Sequence, residues 1–508
     1  MNNYSETTRN NQNATSESIY HVTGNYETDL NNVKDYFNYG ISADIKIREI
    51  KISGQKAFIL FIEGMVNTSI IDENILMPLM LLSTDAPSKE ELLDTLITHN
   101  QAVCEAMFDN IAQSVNFGDC AIFVNNVKTG IVCDVKTWDR RGIDTPITDT
   151  VIIGPHEGFN ENFKINTALV RKIIRDQNLI IENLTVGNKS KTPCALMYMK
   201  NITNNTFVEN LRDRITNIDI DYIYQVSELE QLIEDSTFSL VPQMIKTERP
   251  DRTAEALIEG KPAILLQGSP FALILPVTLT EFITTTEDKY LRFPYSNMMR
   301  AIRYLGVFVS LFISSLYLAL VNFHHEMIPT ELLFAIEVTR EAIPFSTITE
   351  LLVMELSFDL IREASIRVPS PIGSTIGIVG GLIIGQSAVT ANIVSPITII
   401  IVALAGIGSF AIPDYSASLA IRLSRYLFIL LSSLGGFIGI SYGMFICVCL
   451  LAKTQSLGIS LLQPLTNDNT NLFRFIFSYP IWKKEHRHNY LKAKYNRIQA
   501  IISRKWAK

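Results

Sequence analysis

The sequence predicts an α/β cytoplasmic N-terminal region of two subdomains, followed by an all-α polytopic membrane domain. Three stretches without a charged side chain predict the membrane part: Tyr304–Phe323, Val368–Pro413 and Tyr426–Ala452. The hydrocarbon core of a bilayer needs about 20 apolar helical residues per crossing. The first and last stretches therefore suit one crossing each, and the middle stretch is long enough for two.

Charge is distributed unevenly along the 508 residues, although the formal net charge is only −7. Residues 453–508 contain 11 Lys and Arg against Asp468 and Glu485, so this tail is strongly basic. Basic residues beside a span stay on the cytoplasmic side, and Arg300 and Arg303 precede the first span. Both termini are therefore expected in the cytoplasm, which requires an even number of crossings, and four fit. A basic tail beside a span favours this interpretation over nucleic-acid binding.

Composition and periodicity divide the chain into five parts. The first residues are rich in Asn, Ser and Thr with few large apolar side chains, as in flexible segments. We assign a flexible polar tail (1–33), a first α/β subdomain (34–150), a second α/β subdomain (151–295), a helical membrane domain (296–452) and a basic cytoplasmic tail (453–508). Spans are predicted near 304–323, 373–391, 395–413 and 426–452, with an amphipathic helix over 347–366.

Alternation and helical spacing predict the elements of the two α/β subdomains. In the first, we expect strands near 45–48, 57–62, 121–124 and 130–135, a helix over 69–82 and another within 89–112. In the second, we expect a helix capped by Asn160, strands over 180–184 and 195–199, helices over 207–214 and 228–233, and a hairpin over 262–276.

The predicted amphipathic helix carries a stripe of charge. Glu355, Asp359, Arg362 and Glu363 recur at i, i+4, i+7 and i+8, which is one face of a helix. Such a helix either lies in the membrane interface or turns its stripe towards water inside a bundle. Glu355, Asp359 and Glu363 are therefore candidate vestibule charges that concentrate cations near a pore mouth. The alternative is a solvated interfacial face, in which Asp359 and Arg362 pair locally.

The second uncharged stretch becomes rich in glycine and polar residues. Amide side chains are costly against lipid, so this helix is a candidate wall of a water-filled path. Tight helix packing with hydroxyl and amide cross-links is the alternative. A constriction would need a ring of several copies. The candidate pore-lining residues are Gly380, Ile384, Gly385, Gln386 and Ser387.

The sequence lacks the patterns of a catalytic, metal or nucleotide site. Gly406–Ala411 matches the dinucleotide-binding pattern by its letters, but within an uncharged segment small residues favour close helix packing. The adjacent His324 and His325 cannot both point inward on one helix, and the six cysteines lack zinc-type spacing. There is no serine elbow, P-loop or zinc-protease helix in the sequence. We therefore predict no enzyme activity, no cofactor and no metal.

Several motifs resemble those of the A subunit of GerA-type nutrient germinant receptors from endospore-forming bacteria. The resemblance extends from about Ser42 to Pro464. The soluble motifs are Gly154–Phe159, Glu248–Arg252 and Glu259–Gly260. The membrane motifs are Ile328–Leu332, Arg340–Phe345, Met354–Leu356, Arg362–Ala364 and Ile384–Val389. Within the soluble motifs, the candidate subdomain or complex contacts are His156, Glu157, Arg249, Asp251 and Arg252.

The resemblance implies partners and a location as well as a fold. It implies a complex with a transporter-like B subunit and a lipoprotein C subunit in the spore inner membrane, with no nucleic acid. In that scheme the B subunit holds the nutrient, and a homo-oligomer of the A subunit releases ions when the nutrient binds. Two alternatives stay open, a secondary transporter and a structural scaffold. A membrane-tethered enzyme has no supporting residues.

Overall fold

The computed structural model forms two α/β units and a helical bundle. It describes residues 21–81, 88, 92–93, 102–136, 145–146, 148–367, 380–381, 383, 385–463, 477 and 480–499. Each α/β unit contains one antiparallel five-stranded sheet.

The first unit is organised around two apolar central strands, with strand order β1-β2-β4-β5-β3. All five residues of β4 are buried, so this strand is covered on both faces, in agreement with its unbroken apolar sequence. The strands are β1 (Ile45–Ile52), β2 (Gln55–Ile62), β3 (Ala102–Glu105), β4 (Cys120–Val124) and β5 (Gly130–Cys133). The helices are α1 (Tyr26–Tyr36), α2 (Thr68–Ile70, a π-helical segment Ile71–Leu76, and Met77–Leu81) and α3 (Phe108–Asn116).

Two features of this unit differ from the prediction. Ordered structure begins before the boundary expected at residue 34, because Asn25 caps α1 and the side chains of Leu30 and Val33 are buried in the core. The edge strand β3 lies in the region where only a helix was expected. Its four residues are too few for an alternation to stand out in the sequence.

The second unit repeats the arrangement, with strand order β6-β7-β9-β10-β8. Its predicted strands, helices and hairpin are confirmed. Its elements are α4 (Phe163–Ile173), β6 (Leu179–Val186), β7 (Thr192–Met199), α5 (Asn205–Thr216), α6 (Val226–Ile233), β8 (Ile245–Thr247), α7 (Pro250–Glu259), β9 (Ala263–Leu266) and β10 (Ala272–Ile274). The N-cap of α4 is Asn162 rather than Asn160, since the Asn162 side chain accepts from the Lys164 N–H.

A buried ion pair joins the two units. The guanidinium of Arg171 on α4 lies 2.6 Å from the Asp44 carboxylate, and both side chains are almost fully buried. The backbone N–H of Ala43 also donates to the carbonyl of Ile181 on β6 (2.9 Å). Because unpairing a buried charge is costly, these contacts fix the orientation of one unit against the other.

The bundle begins directly after the second unit. Its helices are α8 (Phe293–Phe323), α9 (Thr330–Arg340), α10 (Thr347–Arg367), α11 (Pro396–Phe410) and α12 (Tyr415–Lys453). By length and composition, α8 and α12 could each cross a membrane, and α11 is a shorter apolar helix. Residues 380–381, 383 and 385–390 are also helical. The glycines of α11 allow close packing as expected, since a Cβ on Gly408 would lie 2.7 Å from the Gly306 carbonyl oxygen.

Helix α12 is a hairpin of two antiparallel arms. Gly435 and Gly436 have non-helical backbone angles. Phe428 on the first arm (415–434) packs against Gly443 on the second arm (437–453). A straight helix would place these two residues about 22 Å apart. The structure therefore replaces the single span predicted near 426–452 with a turn and two arms.

Gly436 is expected to be essential for the hairpin turn. Its φ is +53° and its ψ is −128°, and an added Cβ would lie 2.9 Å from the His324 ring and 3.0 Å from Phe323. Gly436→Ala should therefore destabilise the purified protein by about 1–3 kcal/mol, measured by thermal unfolding in detergent. Gly381→Ala is the matched control, because open space surrounds this helical glycine. Equal melting temperatures for the two variants would contradict the turn.

The second unit holds the bundle at its base. Asp288, whose side chain is fully buried, pairs with Arg300 (3.0 Å) and Arg303 (2.8 Å) near the start of α8. Ile412, in the connection from α11 to α12, and Ala417, in the first turn of α12, belong to the core cluster of the second unit. The start of α8 and the start of α12 therefore lie at the same end of the bundle.

The described part of the basic tail packs on the second unit. Strands β11 (Gln455–Ser456) and β12 (Ile459–Ser460) follow α12 directly. The Ser456 hydroxyl donates to the Gln243 carbonyl (2.6 Å), and Leu491 is fully buried. Arg487 donates to three backbone carbonyls, and Lys484 pairs with Glu259. These basic groups therefore make intramolecular bonds.

Candidate functional site

Two of the three soluble motifs, Gly154–Phe159 and Glu248–Arg252, meet at Arg249, the N-cap residue of α7. Its guanidinium forms a two-pronged bond with Asp251 (3.0 and 2.7 Å). It also donates to the carbonyls of Pro155 (3.0 Å) and Asp149 (3.3 Å). The side chain is only 2% exposed. One arginine thus anchors the loop of the first motif to the helix of the second, in an arrangement that we call the arginine hub.

Tyr290 connects the arginine hub to the start of the bundle. Its hydroxyl donates to the Asp251 carboxylate (2.6 Å). Its ring packs so closely on Gly154 that a Cβ added to this glycine would lie only 2.7 Å from a ring carbon. Burial and the bond to Asp251 raise the pKa of Tyr290 to about 12. The phenol is therefore protonated at neutral pH and remains a hydrogen-bond donor. Tyr290 ends the helical turn Glu287–Tyr290 that leads into α8.

The other predicted soluble site residues lie further out. Arg252 is 3.6 Å from the Asp149 carboxylate, so it joins the hub. Glu157 pairs with Lys172 (2.6 Å) on α4, and His156 is exposed. The hub is thus built by contacts within the second unit and its connections. Subdomain or complex contacts by these residues stay a prediction.

The first acid of the stripe on α10, Glu355, faces the interior of the bundle. Glu355 is 1% exposed and pairs with Arg425, which is 2% exposed, on the first arm of α12. The Ser314 hydroxyl donates to the same carboxylate (2.7 Å), and Arg425 donates to the Ser310 hydroxyl (3.3 Å). This burial differs from the solvent-facing vestibule position expected for Glu355, because the carboxylate is enclosed and neutralised by a cation.

The remaining acids of α10 lie in different surroundings. Asp359 accepts from Tyr426 (2.7 Å) and pairs with Arg422 (3.4 Å). Glu363, one turn later, is exposed. The local pair of Arg362 with Asp359, part of the solvated-face alternative, does not form, since the Arg362 guanidinium lies over the rings of Phe410 and Tyr415. The guanidinium carbon lies 5.0 Å from the centroid of the Phe410 ring and 5.9 Å from that of the Tyr415 ring.

Sequence reasoning missed Arg422 and Arg425 as partners of the stripe. A signal was present, because these two arginines stand three residues apart in a helix that has no other charged residue before Lys453. Side chains at that spacing share one face. Glu350 on α10 makes a further buried polar contact, accepting from the N–H of Ser395, the N-cap residue of α11 (3.1 Å), and from the Thr398 hydroxyl of α11 (3.2 Å).

Two of the candidate pore-lining residues lie on the outside of the single-chain bundle. Gln386 and Ser387 are exposed, and Gly380 has open space around it. Gly385 faces α11, since a Cβ added to this glycine would lie 3.9 Å from the Ile399 side chain. Ile384 lies outside the described residues. Among the described residues, no group of three or more His, Cys, Asp or Glu side chains could hold a metal ion.

Comparison with known proteins identifies the family. The profile described as Bacillus/Clostridium GerA spore germination protein matches residues 31–490. The chain belongs to this GerA family. The match includes both α/β units and the bundle, so the arginine hub and the acidic stripe both lie within the part that defines the family.

Individual GerA relatives match over most of their length. Spore germination protein KA of Bacillus subtilis (strain 168) is 36% identical over 454 residues, covering 88% of this chain and 84% of that protein. The membrane protein YfkQ of the same strain is 36% identical over 442 residues, covering 87% and 86%. The N-terminal domain of the A subunit of the Bacillus megaterium spore germinant receptor GerK3 is 30% identical. That crystal structure has a TM-score of 0.41 and covers 51% of this chain and 96% of its own.

Proposed function

We propose that this GerA-family chain is the A-type subunit of a nutrient germinant receptor in the spore inner membrane. Several copies of it form the ion-conducting part, with a transporter-like B subunit and a lipoprotein C subunit as partners. Nutrient binding at a partner shifts a closed-to-open equilibrium of this oligomer, which requires contacts that differ between the two states. The family match and the absence of a catalytic pattern in the sequence support a receptor subunit rather than an enzyme.

The course of α10 supports six membrane crossings instead of four. The Thr347 hydroxyl donates to Asn322 near the end of α8 (3.1 Å), whereas Arg362 reaches Tyr415 at the start of α12. Helix α10 therefore runs the length of the bundle, antiparallel to α8. Its buried pairs with α12 allow charged groups to lie inside such a bundle. Both ends of the bundle part, near 293 and 453, then lie at the α/β units, in the cytoplasm.

The exposure of Gln386 carries the pore proposal. Gln386, Ser387 and Thr390 are all exposed on one helical segment of the single chain. Against lipid, a glutamine amide has no hydrogen-bond partner, and the cost of leaving it unpaired is several kcal/mol. A water-filled path between copies of the chain satisfies this amide. In this arrangement Glu363, exposed near the cytoplasmic end of α10, acts as a vestibule charge.

Thiol modification at position 386 tests this proposal. Gln386→Cys is introduced into a chain carrying Cys449→Ser, and a charged methanethiosulfonate reagent is added to germinating spores. We expect ion release to slow by roughly tenfold, because a bulky charge in the narrow part of a pore obstructs ions. The measurement is the rate of potassium release.

Ile400→Cys is the matched control. Ile400 is exposed on the neighbouring helix α11, where the proposal predicts lipid. Its modification should leave ion release unchanged. Equal rates for modified and unmodified Gln386→Cys spores would exclude this helix from the pore.

A further inference from the structure

We infer that the loop 151–153 and the outward face of the first turns of α8 contact the headgroup layer of the cytoplasmic leaflet. The second α/β unit would then bind the membrane surface beside the bundle. This inference rests on the membrane location in the proposed function. It adds a lipid-binding surface on the second α/β unit.

The loop presents two adjacent isoleucines to the outside. Ile152 is 87% exposed and Ile153 is 51% exposed. Their position is fixed, because both backbone N–H groups donate to the Glu287 carboxylate (3.3 and 3.4 Å). The next residue, Gly154, packs on Tyr290. Neighbouring contacts thus hold an apolar pair outward, which is characteristic of an interaction surface.

The loop lies at the level where α8 becomes free of charge. Glu287 binds the loop, and the adjacent Asp288 pairs with Arg300 and Arg303 on α8. The uncharged stretch begins at the next residue, Tyr304. The two isoleucines are therefore close to the boundary between headgroups and acyl chains.

The first turns of α8 also present apolar side chains outward. Tyr295, Met298 and Ile302 are exposed, while Arg300 and Arg303 turn inward to Asp288. The outward face is consequently apolar before the uncharged stretch begins.

The length of α8 places these turns among the headgroups. Its 31 residues span about 46 Å, longer than the roughly 30 Å hydrocarbon core but close to the full bilayer thickness. The apolar face continues without a break into the exposed Leu305 and Phe308 of the span. Arg292 is exposed at the start of α8 and suits anionic headgroups. This continuity and charge favour lipid over a second copy of the chain as the occupant.

Fluorescence quenching by brominated lipid tests the inference. Ile152→Trp is placed in the full chain with Trp138, Trp482 and Trp506 changed to Phe. The protein is reconstituted in vesicles of phosphatidylcholine and phosphatidylglycerol brominated near the headgroup end of the acyl chains. We expect fluorescence to fall about twofold relative to unbrominated vesicles, as for a side chain at the interface. Ile153→Trp provides a second, independent position.

Tyr224→Trp is the matched control. Tyr224 is 65% exposed, and its carbonyl lies near Gly268, at the tip of the β9–β10 hairpin. The opposite end of this hairpin is the one near the bundle, since Val277 after β10 bonds to Ser456 just after α12. It should show no quenching. Absence of quenching at both 152 and 153 in membrane-inserted protein would overturn the inference. Positions that are protected from the aqueous quencher acrylamide but not quenched by brominated lipid would be covered by a second copy of the chain, and this result would overturn the inference as well. Ion flux in the same vesicles is read separately, so a failure of the proposed function alone would leave the quenching intact.

Discussion

Replacing Arg425 with glutamine is expected to destabilise the full-length protein by about 3–5 kcal/mol. The change leaves the Glu355 carboxylate buried between α8, α10 and the first arm of α12 without its cation. Ser314, the other partner of this carboxylate in the described part of the chain, cannot neutralise a charge. The measurement is the free energy of unfolding of purified protein in detergent micelles.

Arg422→Gln is the matched control on the same helical face. Its partner Asp359 is 29% exposed and also accepts from Tyr426, so we expect a loss of about 1 kcal/mol. Replacing Glu355 and Arg425 together with methionine should recover most of the lost stability, because no unpaired charge remains. Equal losses for the two single arginine variants would contradict a buried pair.

Arg249→Lys is expected to cost about 2–4 kcal/mol and to loosen the loop of the arginine hub. Lysine keeps the charge but cannot form the two-pronged bond to Asp251 while also reaching the carbonyls of Pro155 and Asp149. The released loop should be cleaved faster in limited proteolysis. The measurement combines the cleavage rate with the thermal unfolding of the full chain.

Arg175→Lys provides the matched comparison. Arg175 is exposed and its guanidinium lies over Phe117 at 4.0 Å. We expect its substitution to change stability by less than about 0.5 kcal/mol. If Arg249→Lys behaved in the same way, the hub would not hold the loop.

The soluble fold was largely predictable because its signals are local. The apolar run of β2 and the hairpin β9–β10 are visible as short patterns bounded by turn residues. Edge strand β3 was not predicted, because it is stabilised by pairing with β5 rather than by a pattern in its own four residues. The packing of the basic tail could not be predicted, because Arg487 bonds to backbone carbonyls, which have no sequence signature, and the buried leucines of the tail are widely spaced.

Less of the bundle than of the soluble fold could be predicted from the sequence. Uncharged stretches located the apolar helices, but they could not show that Gly435–Gly436 reverses the chain. Nor could they show that α10 belongs inside the bundle. The carboxylates of Glu355 and Asp359 are neutralised by arginines that are distant in the sequence, and such pairs can be recognised only in the folded structure. For the same reason the motif residues Arg249 and Asp251 were found, whereas their partners Asp149 and Tyr290 were not.

Labelling from outside the cell tests the six-crossing arrangement most directly. Single cysteines at Asn392 and Tyr415 are introduced into a chain carrying Cys449→Ser, and intact cells are treated with a membrane-impermeant maleimide. Asn392 precedes Ser395 at the end of the bundle remote from the α/β units, and Tyr415 lies at the end next to them. The account predicts labelling at 392 and protection at 415. Labelling at 415 with protection at 392 would restore four crossings and contradict it.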